Sequence, residues 1–262
     1  MPSGEMLLPG RLNVERAIFV KSASSVPALK RDYARVYYGE EFCERLIPSV
    51  EQVCEVLDQA KAAGLGLSLV TPYVTEDGLK KLDDIFRSLE DKLKYCEIVV
   101  SDWGVFRLAR KLELKVCIGR LLSRQTRDPR ISGVSDGLSG VNVNSSFAAF
   151  LNLRGVERIE IDNPSQGIRI GAAVAMRLKI SVHYPFAVVT TTRFCPTALS
   201  GYENGVRRVT TCRLECKEFA FKFTGSRILR PLILKGNSLF YFNDLLAVLP
   251  EAVDRIVYRP DL

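Results

Sequence analysis

The feature that most constrains the fold is a regular alternation of short apolar runs with amphipathic stretches of helical period along the 262-residue chain. The apolar run 65–71 separates a helical stretch at 48–63, which begins with proline and is followed by glycine, from a second one at 76–93. The apolar runs 97–102 and 115–119 continue the pattern. Strands that alternate with helices form parallel sheets, so the sequence predicts an α/β fold, either a barrel or an open doubly wound sheet.

The chain length allows two small domains, but a single (β/α) barrel of about 250 residues is equally ordinary, and the regular alternation favours one domain. We therefore predict a single TIM-barrel-like domain over 1–262, as a complete or an incomplete or distorted barrel. The segment 123–141 lacks apolar periodicity and is rich in Arg, Gly, Ser and Asp, which predicts a flexible insertion or a lid over a substrate. A further helix is predicted near 239–248.

Composition and charge bear on location and on partners. No run of about 18 uncharged apolar residues occurs, so no transmembrane segment is predicted. The first residues lack the pattern of a secretion signal, and seven cysteines, an odd number, then favour a reducing, cytoplasmic location over disulfides. The net charge of +7 makes anionic partners such as RNA plausible, with a dense patch at Arg120, Arg124, Arg127 and Arg130, although a solvated surface is the simpler interpretation.

Four cysteines lie in polar, turn-rich positions, Cys43, Cys195, Cys212 and Cys216, and the last two are spaced C-x-x-x-C. Four thiolates suit either a tetrahedral zinc ion or a 4Fe-4S cluster. A zinc site commonly uses two pairs of cysteines, with two to four residues between the members of each pair. This chain has one such pair and two dispersed cysteines, which favours a cluster. Zinc and unliganded cysteines remain alternatives at this point.

The remaining cysteines are interpreted as core residues. Cys54 shares a helical stripe with apolar neighbours, and Cys96 and Cys117 lie in apolar runs typical of strands. Free cysteine in such a setting packs as a small hydrophobic side chain.

Polar side chains follow several of the predicted strands. Reactive groups of (β/α) folds lie where strands end, so Glu40, Asp102 and His183 are candidate catalytic residues. Asp102 could instead cap the helix that follows it. His183 is expected near the cysteine loops, where it could tune the site or transfer protons, or it could be a structural histidine at a strand end.

Four stretches, VYYGEEFCERLIPSVEQV, SDWGVFRLARKLELK, VHYPFAVVTTTRFC and TTCRLEC, together resemble the UbiU/UbiV-like branch of the collagenase-like (unclassified) peptidase family, closest to its UbiV-type members. The resemblance extends from about 35 to 258. Cys43, Cys195, Cys212 and Cys216 match the cysteines of that branch in order, Cys43 following a Tyr-x-Gly-Glu strand end.

The resemblance implies a 4Fe-4S cluster bound by those four cysteines and a heterodimer with a UbiU-like subunit. It also implies a role in oxygen-independent hydroxylation, as in ubiquinone biosynthesis, on a small-molecule or quinone-precursor substrate. Other family members hydroxylate RNA bases, so an RNA-modifying hydroxylase or accessory subunit is the alternative. A peptidase is less favoured, because the chain has one histidine and neither H-E-x-x-H nor G-x-S-x-G. The segment 123–141 is longer than in the family, and the basic composition is not required by a quinone pathway, so the substrate stays open.

Overall fold

The structure is a computed structural model. It describes residues 14–29, 32–123, 125, 145–165, 167–168, 170–171, 174, 177–198, 202–203, 206–207, 212–226, 228, 230–244 and 249–262. Its strands are β1 (Glu15–Phe19), β2 (Arg35–Gly39), β3 (Gly66–Thr71), β4 (Glu97–Val100), β5 (Lys115–Ile118), β6 (Arg158–Asp162), β7 (Lys179–Tyr184), β8 (Phe186–Thr191), β9 (Tyr202–Glu203), β10 (Val206–Arg207), β11 (Phe221–Phe223), β12 (Leu232–Lys235), β13 (Ser238–Phe242) and β14 (Val253–Tyr258). Its α-helices are α1 (Val50–Ala63), α2 (Glu76–Ser88), α3 (Glu90–Leu93), α4 (Trp103–Lys111) and α5 (Ser145–Leu153).

Strands β1 to β7 and β14 form a closed barrel in which every neighbouring pair is parallel. Strand β14 pairs with β1 on one side and with β7 on the other, which closes the circle. The predicted TIM-barrel-like α/β fold is therefore confirmed, and the barrel is closed rather than incomplete. Parallel strands place their carboxyl ends at one rim, which we call the C-terminal end.

Local sequence signals explain the helix ends. Ser49 and Gln52 form a capping box at the start of α1, and Gly64 ends that helix in a left-handed conformation with φ of 70°. The stretch predicted as one helix at 76–93 is two helices, α2 and α3, because the chain departs from helical geometry at Leu89.

Two packed cores follow from the alternation of side chains along each barrel strand. Side chains on the outer surface of the barrel pack under the helices in one large cluster. A smaller cluster fills the middle of the barrel interior and consists of Ala17, Phe19, Tyr37, Val70, Val99, Cys117 and Val257. The interior is therefore packed, with charged residues above and below this apolar layer.

Between β7 and β14 the chain leaves the barrel and forms an antiparallel sheet in the order β11-β12-β13-β8. The helix predicted near 239–248 is wrong for 239–242, which belong to β13 of this sheet. The side chains alternate there, since Phe240 is buried against Phe42 while Phe242 is exposed. Residues 245–248 lie outside the described residues.

The insertion predicted at 123–141 falls almost wholly outside the described residues, of which Ser123 and Gln125 are its only members. Among the helices that the structure describes, none has both the length and the apolar character required to span a bilayer.

Candidate metal centre and active site

A buried ion network occupies the C-terminal end of the barrel. Arg120, which is 1% exposed, donates two hydrogen bonds to Glu41, at 2.8 Å to Oε1 and 2.6 Å to Oε2, and a third to Asp162 Oδ1 at 2.6 Å. Gln125 fixes the same strand end by exchanging hydrogen bonds with the backbone of Asp162. Burial lowers the pKa of Arg120, but Glu41 and Asp162 outweigh it and hold that pKa above its ordinary value. The network ties β2, β5 and β6 together at this rim.

The four candidate ligand cysteines come from three places in the chain. Cys43 follows β2 directly, Cys195 lies beyond β8, and Cys212 and Cys216 precede β11. All four are free thiols; Cys216 is buried and the other three are half-buried. The antiparallel sheet packs Gly236, in the turn between β12 and β13, against Cys216, since a Cβ on that glycine would lie 3.7 Å from the Cys216 sulfur.

Two of these thiols are held in their neutral form. Burial, together with Glu40, Cys216 and Cys195, raises the pKa of Cys43 to about 11, against the lowering effect of a backbone hydrogen bond from Arg45. Burial, Cys195 and Cys212 likewise raise the pKa of Cys216. A bound cation would reverse this preference for the neutral thiol, because a coordinating thiol is deprotonated.

Three of the four sulfurs interact with a group two residues further along the chain. The backbone N–H of Arg45 bonds to Cys43, the N–H of Leu214 donates to Cys212 Sγ at 3.4 Å, and the Thr197 hydroxyl lies 3.3 Å from Cys195 Sγ. Leu214 has φ of 64°, a left-handed conformation that is uncommon for a branched side chain. Between the two cysteines of the C-x-x-x-C motif, the backbone therefore turns at Leu214 and directs its N–H toward the Cys212 thiol.

Among the residues that the structure describes, no group of three or more His, Cys, Asp or Glu side chains is arranged to hold a single metal ion. Four sulfurs around one zinc ion would lie about 3.8 Å apart, as a tetrahedron with Zn–S bonds of about 2.3 Å requires. The four described cysteines do not form such a site.

A cavity of about 500 Å³ opens beside Cys43 and Cys216. Its apolar wall includes Phe19, Phe42 and Phe240, and its charged side chains are Lys21, Glu40, Arg45, Lys217, Lys235, Arg259 and Asp261. Cationic side chains outnumber anionic ones in this lining. Burial, and then Lys21, lower the pKa of Lys235, as expected where positive charges are crowded.

Glu40 lies in this cavity and Asp102 does not. Glu40 Oε1 accepts the backbone N–H groups of Glu41 and Phe42, each at 3.0 Å, and burial raises the pKa of its carboxyl. Asp102 caps α4 by accepting the N–H of Gly104 at 2.6 Å and that of Val105 at 3.4 Å. The capping interpretation therefore accounts for the Asp102 carboxylate.

The structure places His183 inside the barrel, where it is 1% exposed, and not on a cysteine loop. Its Nε2 lies 2.8 Å from Glu160 Oε2, and Tyr37 donates to Glu160 Oε1 at 2.7 Å. Burial raises the pKa of Glu160 to about 7, although Tyr37, Arg255 and Arg120 lower it. Burial and Arg120 hold the pKa of His183 well below its ordinary value. The pair lies beneath Phe19, whose ring centroid is 5.9 Å from that of His183.

Sequence reasoning missed Glu160 and its contacts, although a signal was present. The strand sequence RIEID places Arg158, Glu160 and Asp162 at every second position, and alternating charged residues in a buried strand indicate a polar interior face. The core interpretation of Cys96 and Cys117 is confirmed, since both are buried.

Arg120, the first residue of the predicted RNA-binding patch, is buried and paired, so it is not available to bind phosphate. Arg124, Arg127 and Arg130 lie outside the described residues.

Comparison with known proteins gives similarities among solved structures alone. No family model matches the chain, and no curated protein matches it. The U32 peptidase Mk0906 is 14% identical, with 97% of this chain and 96% of that chain covered and a TM-score of 0.42. The spore cortex-lytic enzyme SleL of Bacillus megaterium is 8% identical, with 96% and 71% covered and a TM-score of 0.43. D-psicose 3-epimerase of Clostridium cellulolyticum is 11% identical, with 65% and 72% covered and a TM-score of 0.38. The fold assignment rests on the strand order described above rather than on these similarities.

Proposed function

We propose that this chain is an iron-sulfur protein in which Cys43, Cys195, Cys212 and Cys216 bind a 4Fe-4S cluster. The proposal rests on the four free thiols of these residues, which follow β2, follow β8 and precede β11, and on the cavity that Cys43 and Cys216 both line. Thiolates are the ligands of such clusters. The sequence resemblance to UbiV-type proteins selects the same four residues.

The spacing of the cysteines favours a cluster over zinc. Zinc sites commonly use two closely spaced pairs of cysteines, whereas this chain has one such pair, Cys212 and Cys216, and two dispersed cysteines. The donors near Cys43, Cys195 and Cys212 are also of the kind that tunes cluster potentials, because hydrogen bonds to the sulfurs shift the reduction potential. When bound, the cluster would supply one-electron transfer.

The residues of the chain itself would then bind and orient a substrate beside the cluster. The cavity next to Cys43 and Cys216 has the size of a small-molecule site, an apolar wall and an excess of cationic side chains. Those properties suit an anionic small molecule with an apolar ring, such as a carboxylated quinone precursor. Glu40, whose pKa is raised by burial, would hold or release a proton there.

In this proposal the chain is one subunit of an oxygen-independent hydroxylation system and pairs with a UbiU-like subunit in the cytoplasm. An RNA-modifying role is the alternative, and the burial of Arg120 removes one of the cations that it would use. A peptidase role has no catalytic arrangement to support it among the described residues.

The test is purification without oxygen, followed by iron and acid-labile sulfide analysis and a visible absorption spectrum. About four irons and four sulfides per chain are expected. The Cys212→Ala/Cys216→Ala double variant should lose the iron and the visible band, whereas Cys96→Ala, which removes a buried core cysteine, should keep both. Zinc at one ion per chain, or an equal iron content in the double variant and wild type, would contradict the proposal.

A further inference from the structure

The turn between β12 and β13 is buried beside two of the candidate ligands. It consists of two residues, Gly236 and Asn237, between the paired ends of the two strands. Gly236 has φ of 61°, a left-handed value that glycine adopts without steric cost. Asn237 is only 6% exposed, and both residues line the cavity next to Cys43 and Cys216. A buried asparagine needs hydrogen-bond partners, because an unpaired amide in the interior is costly.

The side-chain amide of Asn237 bonds to two distant segments of the chain at once. Its Nδ2 atom lies 2.7 Å from the carbonyl oxygen of Phe42 and 2.9 Å from that of Thr192. Both carbonyl oxygens can only accept hydrogen bonds, so the amide must present its NH₂ group to them, and this group has two hydrogens to donate. The backbone carbonyl of Asn237 also accepts the N–H of Thr192 at 2.9 Å.

The segments that this turn contacts are the ones that carry the candidate ligands. Of the two carbonyl groups bonded to Asn237, one belongs to the residue directly before Cys43 and the other to the residue three positions before Cys195. Gly236 packs against Cys216, because a Cβ on that glycine would lie 3.5 Å from the Cys216 Cβ. One short turn therefore contacts all three cysteine-bearing segments.

We propose that Asn237 is a positioning residue that fixes the backbone next to Cys43 and Cys195 for binding of the cluster, a role that rests on the proposed function. Ligands from separate segments bind more tightly when those segments are already ordered, because ordering them on binding costs affinity. Hydrogen bonds outside the ligand set orient ligands in this way at other metal sites. The neutral amide of Asn237 does so without adding a charge beside the thiols.

The first test uses the full-length protein without metal, so its result does not depend on the cluster. Asn237→Ala removes both amide donors, and hydrogen exchange with mass spectrometry follows the backbone of the peptides that contain Cys43 and Cys195. Both peptides should exchange at least about fivefold faster in the variant, as expected when buried carbonyl groups lose their donors. Asn237→Ser, which keeps one donor, is a milder second variant and should give a smaller change in the same direction.

Asn243→Ala is the matched control. Asn243 is 4% exposed, and its amide likewise donates to a backbone carbonyl, that of Asn163, at 3.0 Å. Asn163 lies in a segment without a cysteine. The control therefore removes a buried amide donor of the same kind and should leave the exchange of the peptides with Cys43 and Cys195 unchanged. Circular dichroism verifies that each variant is folded.

The second test measures the cluster itself in protein reconstituted without oxygen. Asn237→Ala should lose iron to a chelator about tenfold faster than wild type, the size of effect that residues orienting metal ligands have on affinity. The electron paramagnetic resonance spectrum of its reduced cluster should also differ from that of wild type, whereas Asn243→Ala should match wild type in both measurements.

Two results would overturn the role of Asn237. One is unchanged exchange of both cysteine peptides in Asn237→Ala, and the other is equal iron loss from Asn237→Ala and Asn243→Ala. Absence of iron from wild type would instead contradict the proposed function, so the two failures are distinguishable.

Discussion

Both ends of the barrel bury arginine and glutamate side chains, but the pKa shifts of the acids differ between the two ends. At the N-terminal end, Arg255 donates to Glu97 at 2.6 Å and 3.3 Å, and Arg35 lies 3.5 Å from the same carboxylate. Burial raises the pKa of Glu97, but Arg255, Arg35 and Arg158 lower it to about 2. This end contains a carboxylate that is held firmly in its charged form.

Toward the C-terminal end Arg120 pairs Glu41 and Asp162 in a similar way, but the pKa values of two other acids and two thiols are raised. Burial raises the pKa of Glu40 and brings that of Glu160 to about 7, while the thiols of Cys43 and Cys216 are shifted upward as well. Strongly shifted pKa values concentrate at functional sites. The comparison teaches that arginines at the N-terminal end hold Glu97 in its charged form, whereas burial toward the C-terminal end favours the neutral forms of Glu40, Glu160 and the two thiols.

The largest effect is expected from Glu97→Gln. The substitution leaves Arg255, Arg35 and Arg158 without the charge they share, and breaking a buried ion pair costs about 3–5 kcal/mol. Urea denaturation at pH 7 measures the change in the free energy of unfolding. Glu90→Gln, which removes one partner of an exposed pair, should cost less than about 0.5 kcal/mol.

Acid should weaken the same contact. The folded pKa of Glu97 lies below the unfolded value of 4.5, so its contribution is present above pH 4.5 and is lost as the pH falls toward about 2. The stability of wild type should therefore fall more than that of Glu97→Gln across this window. If the free energy of unfolding changed with pH in the same way for both proteins, these arginines would not be stabilising the charged form of Glu97.

A smaller effect is expected from Glu160→Gln, the same substitution in the other acid environment. Glutamine keeps an acceptor for Tyr37 and removes a buried group whose charge is poorly stabilised, so the variant should stay within about 1 kcal/mol of wild type at pH 8. The folded pKa of about 7 exceeds the unfolded value of 4.5, so the stabilising contribution of Glu160 is lost as the pH rises through 7. Urea denaturation at pH 5 and pH 8 should show that the free energy of unfolding of the variant, relative to that of wild type, is higher at pH 8 than at pH 5. If Glu160→Gln lowered the free energy of unfolding at pH 8 as much as Glu97→Gln does, the proposed difference between the two acid environments would be contradicted.

Features that depend on neighbours in sequence could be predicted, and features that depend on distant contacts could not. The start of α1 near Pro48 and its end at Gly64 follow from local start and stop signals, and the strand–helix alternation gives the parallel α/β class. Closure of the barrel depends on the pairing of β14 with β1 and β7, which the alternation does not specify. The apolar run at 239–242 was assigned to the wrong element, because a short apolar run fits a helix or a strand until its pairing partner is known. Lys92 meets Cys54 across 38 positions, and no local pattern encodes that contact.

The smallest measurable effect concerns His183, whose ring should not titrate in the physiological range. Burial and the nearby Arg120 disfavour the imidazolium, so the folded pKa lies below the ordinary value of 6.5. His183 is the only histidine of the sequence, so the imidazole signals in a heteronuclear NMR spectrum belong to it without assignment. The ring nitrogens should keep the chemical shifts of a neutral imidazole from pH 8 down to pH 5.5 in wild type, since a buried ring has no solvent to stabilise its charge, and the protonation of Glu160 near pH 7 should change only the hydrogen bond at Nε2. Nitrogen shifts of an imidazolium at pH 5.5 would mean that the ring is charged in the barrel interior and that the proton of the pair resides on His183 rather than on Glu160.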